Sequence, residues 1–404
     1  MRIMLQRSLL CLTHLLGTIF AYTPLSDDSL KSLPGPGDDF DIKTGTILSP
    51  ILKVRVPGTE GITAVQHHFI NFFQNTLPEW HLELHNSTAT TPLSKGEAVP
   101  FVNIIATRDP PWARPGDVGR LALVAHYDSK ITPEGFIGAT DSAAPVAMIM
   151  HAVRSVDQAL TKRWKDMQEN GDWQDSLEPE KGVQVLLLDG EEAFVSWSAT
   201  DSLYGARALA ESWDGRMHTA ASTYHNFLDS IELFLLLDLL GSKEPQIPSY
   251  FKTTHWAYKA MAALEMRLRD MGEFKSSPNH HSKRKPGDAK RKEKKFLHEA
   301  DKDDSRFMGG FVQDDHVPFM ARGVEILHII PTPFPRVWHE MTDDGEHLDM
   351  DTVEDWAKLV TAFVSEWMDL EGYFEHKRDT EEIAQLARKG ENIEVDEHIR
   401  RTEL

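Results

Sequence analysis

Val185-Leu186-Leu187-Leu188-Asp189-Gly190-Glu191-Glu192-Ala193-Phe194 is the stretch that decides how this chain is read. A run of aliphatic residues ends at a glycine turn and presents two adjacent glutamates. An unbroken apolar run is what a strand covered on both faces looks like. Working outward, the same grammar recurs. His126-Tyr127-Asp128 follow the apolar residues 121–124, Asp238 follows 233–237, and Trp338-His339 lie beyond 326–330. Gly138-Ala139-Thr140-Asp141-Ser142 form a further acidic turn. In an open α/β sheet, ligands bind outside the carboxyl ends of the strands. Histidine and carboxylates delivered there from several strands are the ligand types of a catalytic zinc.

Helical spacing fills the gaps. Val65, Phe69, Phe72 and Phe73 mark a helix over 61–77, and further helical patterns cover 143–153, 203–212, 256–271 and 352–370. Residues 81–85 alternate like a strand, and 102–106 form another. Strands alternating with helices predict a three-layer α/β/α domain with a mixed, largely parallel central sheet. Residues 61–372 read as one catalytic domain. Residues 22–60, rich in Pro, Gly and Asp, read as an irregular lead-in, and 373–404 as a charged tail.

The ends carry addressing signals. Arg2 and Arg7 precede an uncharged stretch, 8–20, and Ala21 suits a cleavage site, so residues 1–21 read as a secretory signal peptide. No other apolar run is long enough to span a bilayer. The sole cysteine, Cys11, falls inside that segment. The mature chain therefore has neither disulfides nor cysteine catalysis. Asn86-Ser87-Thr88 is a glycosylation acceptor. Arg401-Thr402-Glu403-Leu404 loosely resembles the K-D-E-L retrieval signal. Secretion, or retention in the endoplasmic reticulum or Golgi, is the expected location. A formal charge of −20 argues against general affinity for nucleic acid or anionic lipid. Residues 275–306 are locally basic (Lys283-Arg284-Lys285, Lys290-Arg291-Lys292) and read as a disordered surface insertion. With no extended apolar stripe asking for a partner, a monomer is expected.

Each candidate has a plain structural reading beside the chemical one. Asp141 would serve as a helix cap. His339 stands in a proline-rich loop, and Trp197 and Trp338 could simply be core. Asp238 ends an apolar strand, where a buried carboxylate needs partners or a metal. The helical zinc motif H-E-x-x-H and the serine motif G-x-S-x-G are both absent.

Seven segments resemble the zinc-dependent glutaminyl-peptide cyclotransferases, or glutaminyl cyclases. They begin with Ala125-His126-Tyr127-Asp128-Ser129-Lys130, Gly138-Ala139-Thr140-Asp141-Ser142-Ala143 and Asp189-Gly190-Glu191-Glu192-Ala193-Phe194. Asp201-Ser202-Leu203-Tyr204-Gly205, Leu236-Leu237-Asp238-Leu239, Gln313-Asp314-Asp315-His316-Val317-Pro318-Phe319 and Pro333-Phe334-Pro335-Arg336-Val337-Trp338-His339 follow in order. The related two-zinc aminopeptidases share the histidine and carboxylate frame but would not be expected to carry the last two segments. The resemblance implies a zinc-aminopeptidase-like fold and one Zn2+ per chain on Asp141, Glu192 and His339. It gives Glu191 the acid/base role, sets Asp238 and Asp314 in a carboxylate hydrogen-bond network, and has Trp197, Gln313, Phe334, Trp338 and His328 shape or support the substrate pocket. The implied reaction turns the N-terminal glutamine of peptides and proteins into pyroglutamate with release of ammonia. The alternative is a zinc aminopeptidase, for which His126 and Asp238 would hold a second metal. Cyclases of this type often pair two cysteines near the first metal segment; Ala125 and Val146 stand in those places.

Overall fold

The computed structural model describes residues 24–174, 179–285, 287–307 and 310–374. The expected signal peptide, and the charged tail beyond 374, lie outside the described residues. Six strands form one sheet: β1 (His81–Thr90), β2 (Ala98–Arg108), β3 (Val118–His126), β4 (Glu180–Leu188), β5 (Ile231–Leu237) and β6 (Ile326–Ile329), in the order β1-β2-β4-β3-β5-β6. β3 runs parallel to β4 and to β5, and β5 parallel to β6. β2 is antiparallel to both β1 and β4. The sheet is mixed with a parallel centre, as the apolar runs predict. Every residue of β3 is buried, which only a strand covered on both faces allows.

Helices supply the two outer layers: α1 (Asp27–Ser32), α2 (Glu60–Thr76), α3 (Ala144–Asn170), α4 (Tyr204–Asp214), α5 (His255–Asp270), α6 (Val317–Met320) and α7 (Met350–Trp367). Strand alternation divides the core between them. Leu121, Leu123 and Ala125 pack with α2, α3, α5 and α7, while Ala122 and Val124 pack with α4 and Phe319. Ala125 and Val146, the positions without cysteine, are fully buried in the first cluster. No helix among the described residues is long and apolar enough to cross a membrane.

Two segments differ from their expected character. The lead-in holds only α1 and two short 3-10 turns, yet Leu25, Leu30, Leu33, Phe40, Leu48 and Ile51 are all buried in the first core cluster. At roughly 1.5–3 kcal/mol for each large apolar side chain, that burial is worth on the order of 10 kcal/mol before entropy is counted. This is the scale of a whole domain's net stability, so the lead-in belongs to the folded unit.

The basic segment is not a disordered insertion. Phe296 and Leu297 are buried, and their amides donate to the buried Glu265 at 2.7 and 2.8 Å. Asp355 on α7 accepts the amides of Lys275 and Ser276 at 2.6 and 2.9 Å. Lys283 pairs with Asp351 at 2.9 Å and Lys290 with Asp270 at 2.6 Å. Acidic side chains on α5 and α7 thus meet charges that, read alone, suggest a solvated coil.

Candidate active site

Because β3, β4, β5 and β6 run parallel, their carboxyl ends share one edge of the sheet. β3 delivers His126 and, just beyond it, Asp128. β4 delivers the Asp189-Gly190-Glu191-Glu192 turn, and β5 delivers Asp238. Gly190 has φ +73°, and a Cβ there would meet the Phe101 ring at 2.4 Å. The turn therefore needs glycine. Gly138, at φ +65°, plays the same part before Asp141: a Cβ would come within 2.1 Å of the Asp141 carbonyl oxygen.

Asp141, Glu192 and His339 converge. Their ligand atoms all lie within 4.8 Å of one another. His339 Nε2 stands 3.5 Å from Asp141 Oδ2 and 3.5 Å from Glu192 Oε1. The other Glu192 oxygen, Oε2, accepts from Lys130 Nζ at 3.1 Å, whereas Oε1 is buried with no hydrogen-bond partner among the described residues. A tetrahedral ion with ligand bonds of roughly 2.0–2.1 Å sets its ligand atoms about 3.3 Å apart. The spacing and the orphaned Glu192 oxygen fit such an ion. Burial disfavours a charged His339, but its contacts with Asp141 and Glu192 raise its pKa to about 9. A cation is wanted at this spot.

His126, Asp141 and Asp238 also cluster within metal-ligand range. Here, however, His126 Nε2 bonds Asp141 Oδ1 at 2.9 Å and lies 3.5 Å from Asp238 Oδ1. Ser142 Oγ and the Leu239 amide also donate to Asp238 Oδ1, the latter at 2.8 Å. The ligand-type atoms of this trio bond one another and their neighbours. Burial tends to raise the Asp141 pKa, but hydrogen bonds from His126 and His339 outweigh it and hold its carboxyl below the usual range.

Glu191 is buried and carries no ligand-type contact with the trio. Burial first, then the charges of Glu192, Asp314 and Asp315, push its carboxyl well above the usual range, against a lowering pull from His126. Burial and the Asp314 charge raise Asp238 to about 6. Among the described residues no direct hydrogen bond joins Asp238, Asp314 and Glu191; charge links them instead. Asp314 accepts from His328 Nε2 at 2.7 Å, which overcomes burial and lowers its pKa.

A cavity of about 430 Å³ opens over these groups. Trp197, Gln313, Phe334 and Trp338 line it together with Asp141, Glu191, Glu192, Asp238 and His339. Trp197 Nε1 donates to Gln313 Oε1 at 3.0 Å. Trp338 stacks on His339 with centroids 3.9 Å apart, and Phe334 meets Trp338 edge-on at 4.9 Å. His328 is not on the wall. It lies behind it, bonded to Asp314 and with its ring 4.6 Å from that of His316. Asp314, His316 and His328 form a third buried cluster of ligand-type atoms.

Several supporting residues escape a reading by sequence. Asp128 accepts the amides of Glu191 and Glu192. Asp201 accepts those of Phe194, Val195 and Ser196, each at 2.9 Å, which fixes the segment carrying Trp197. Asp343 accepts the Thr140 amide at 2.7 Å. Arg55 is fully buried and donates to the carbonyls of Tyr127 and Gly138 at 2.6 and 3.1 Å, bracing both loops that carry candidate ligands. Asp128 and Asp201 at least sit in motif segments; nothing near Arg55 marks it.

A model of peptidase family M28 matches residues 103–364, which include every candidate site residue. Among curated relatives, the glutaminyl-peptide cyclotransferase of Boiga irregularis is 37% identical over 330 residues, covering 80% of this chain and 80% of that protein. The glutaminyl-peptide cyclotransferase-like protein of Mus musculus is 36% identical over 349 residues, covering 86% of this chain and 80% of that one. The crystal structure of Macrostomum lignano glutaminyl cyclase superposes with a TM-score of 0.67 at 26% identity, covering 88% of this chain and 97% of that chain. The chain belongs to peptidase family M28 and, within it, to the glutaminyl-peptide cyclotransferases.

Proposed function

We propose that this enzyme converts the N-terminal glutamine of peptides and proteins to pyroglutamate with release of ammonia, using one zinc ion per chain. The observation that carries the reading is Glu191: a buried carboxyl outside the candidate ligand trio, on the wall of the cavity that the trio floors. Asp141, Glu192 and His339 would hold the zinc through Oδ2, Oε1 and Nε2. When bound, it would supply Lewis-acid polarisation of the substrate's side-chain amide carbonyl.

The chain's own residues account for the rest. Trp197, Phe334 and Trp338 give the glutamine side chain an apolar slot. Gln313, tied to the Trp197 indole, fixes that wall. Glu191 accepts a proton from the substrate α-amine as its nitrogen bonds to the side-chain amide carbon. Glu191 then returns the proton to the amide nitrogen, whose bond to that carbon breaks, and ammonia leaves. A carboxyl raised by burial suits both halves of this transfer. Because the nucleophile and the carbonyl belong to one residue, orientation alone can supply about 7–11 kcal/mol of the barrier. Asp314 acts on Glu191 through its charge, Asp238 is linked to Asp314 in the same way, and His328 acts through Asp314.

A single zinc on the Asp141, Glu192 and His339 trio is favoured because the Glu192 Oε1 there lacks a partner among the described residues, whereas His126 Nε2 and Asp238 Oδ1 already make hydrogen bonds. In this proposal the catalytic unit runs from the packed lead-in to about residue 372 and works as a monomer. Passage through the secretory pathway rests on residues 1–21, and glycosylation on Asn86, which is exposed on β1.

Mass spectrometry of a Gln-initiated and an Ala-initiated peptide, each incubated with the enzyme, tests the reading. Loss of one ammonia from the first alone is expected. Release of a whole N-terminal residue from either would make the enzyme an aminopeptidase.

A further inference from the structure

The basic segment plays no part in the chemistry above, and it borders a second cavity. Arg269, on α5, has a side chain only 6% exposed. Its Nε bonds Glu265 at 2.7 Å and its Nη1 bonds Glu293 at 2.7 Å. The guanidinium packs with its carbon 4.8 and 4.4 Å from the ring centroids of Phe274 and Phe296. Its Nη2 is buried with no hydrogen-bond partner among the described residues.

Arg269 forms one wall of a cavity of about 220 Å³, whose other cations are Arg284, Lys285 and Lys290. The carboxylate on the wall, Asp270, is taken by Lys290 at 2.6 Å. Arg284 bonds the backbone oxygen of Asp288 through Nε at 2.9 Å, and the Asp288 carboxylate is turned to the Lys285 amide at 3.3 Å. Among the described residues, the Lys285 ammonium has no carboxylate partner. Asn279, also on the wall, is held by the Arg291 carbonyl at 2.8 Å and by Glu293 at 2.9 Å. Four cationic side chains thus line the cavity against one carboxylate, Asp270, while Glu265 and Glu293, which pair with Arg269, are not on its wall. A concave site lined by several cations, one of them a largely buried arginine, is a setting in which phosphate and sulfate groups are held.

We propose that this cavity binds a small molecule bearing several phosphate or sulfate groups. The volume is several times the roughly 30 Å³ share of one water, so it has room for more than one oxyanion. The same chemistry is offered by a free polyphosphorylated small molecule and by a sulfated sugar chain. The exposed Arg291 and Lys292 lie outside the cavity wall, so a chain that merely coats the surface would depend on them instead.

Isothermal titration with inositol hexakisphosphate tests this, with a heparin tetrasaccharide as the second arm. One site per chain is expected, with an affinity that weakens as salt rises. Affinity should fall at least tenfold in Arg284→Ala/Lys285→Ala and stay within twofold in Arg291→Ala/Lys292→Ala. Both variants alter exposed or half-exposed side chains, and their melting temperatures without ligand should match the parent. The proposal is overturned by no binding in either arm, by equal affinity in Arg284→Ala/Lys285→Ala, or by loss that follows Arg291 and Lys292. Tighter binding of the tetrasaccharide than of the inositol phosphate, still lost with Arg284 and Lys285, identifies a sulfated sugar as the source. No step of this test depends on the cyclase reading.

Discussion

Asp128 holds Glu191 by its backbone: one carboxylate oxygen accepts the Glu191 amide at 3.1 Å, and the other accepts the Glu192 amide at 3.2 Å. One buried side chain thus orients both glutamates, the candidate proton carrier and the candidate ligand. Asp128→Asn leaves a single acceptor oxygen for two amides. Loss of such a supporting contact costs about 10- to 100-fold in metal affinity or activity. Turnover and zinc affinity should both fall in that range, read by steady-state kinetics and competition with a chelator. Parent values for both would show that the turn holds its shape without Asp128.

Gly190→Ala probes the same turn from its backbone. Its positive φ and the Phe101 ring both oppose a side chain. Strained backbone of this kind costs of order 1–3 kcal/mol. Thermal unfolding should shift down by several degrees, and turnover should fall with it. An unchanged melting temperature would contradict the tight packing of Phe101 against the turn.

Removing the metal separates chemistry from folding. The sheet and both core clusters are built without the Asp141, Glu192 and His339 trio, so a chelator should abolish turnover while the far-ultraviolet circular dichroism persists. Melting should fall by a few degrees, since a ligand that binds only the native state stabilises by mass action. Added zinc should restore activity. Collapse of the fold on chelation would give the metal a structural role instead.

Trp197→Phe keeps a ring and deletes the indole donor to Gln313. The lost bond is worth roughly 0.5–1.5 kcal/mol in full burial, and Trp197 is 41% exposed. A two- to fivefold rise in KM with little change in kcat is expected. A large fall in kcat alone would place Trp197 in the chemistry and not in the wall.

Much of this was legible in the sequence because burial on both faces leaves a simple mark. Continuous aliphatic runs predict the four parallel strands, and the acidic or histidine residues just after them predict which edge carries the site. What escaped depends on distant partners. The helix expected over 143–153 continues to Asn170 because Gln158, Thr161 and Lys165 form its exposed face while Val156, Leu160 and Trp164 stay buried. Arg55 stands unmarked in a Pro- and Gly-rich segment; carbonyls of loops some seventy to eighty residues away, with those of Ile51 and Lys53 nearby, make its burial tolerable. His328 carries a family resemblance that names a neighbourhood, and the fold turns it onto Asp314 instead of the cavity. The basic segment reads as disordered because its charge is visible and its acidic partners on α5 and α7 are not.

Glu191→Gln, with zinc content and turnover measured on the same sample, tests the central claim most directly. Proton transfer by a positioned side chain contributes typically 10²- to 10⁴-fold. The account predicts one zinc per chain, as in the parent, and turnover of the Gln-initiated peptide reduced at least 100-fold. Turnover at the parent rate would remove Glu191 from the proton transfer, and loss of the zinc would make it a ligand.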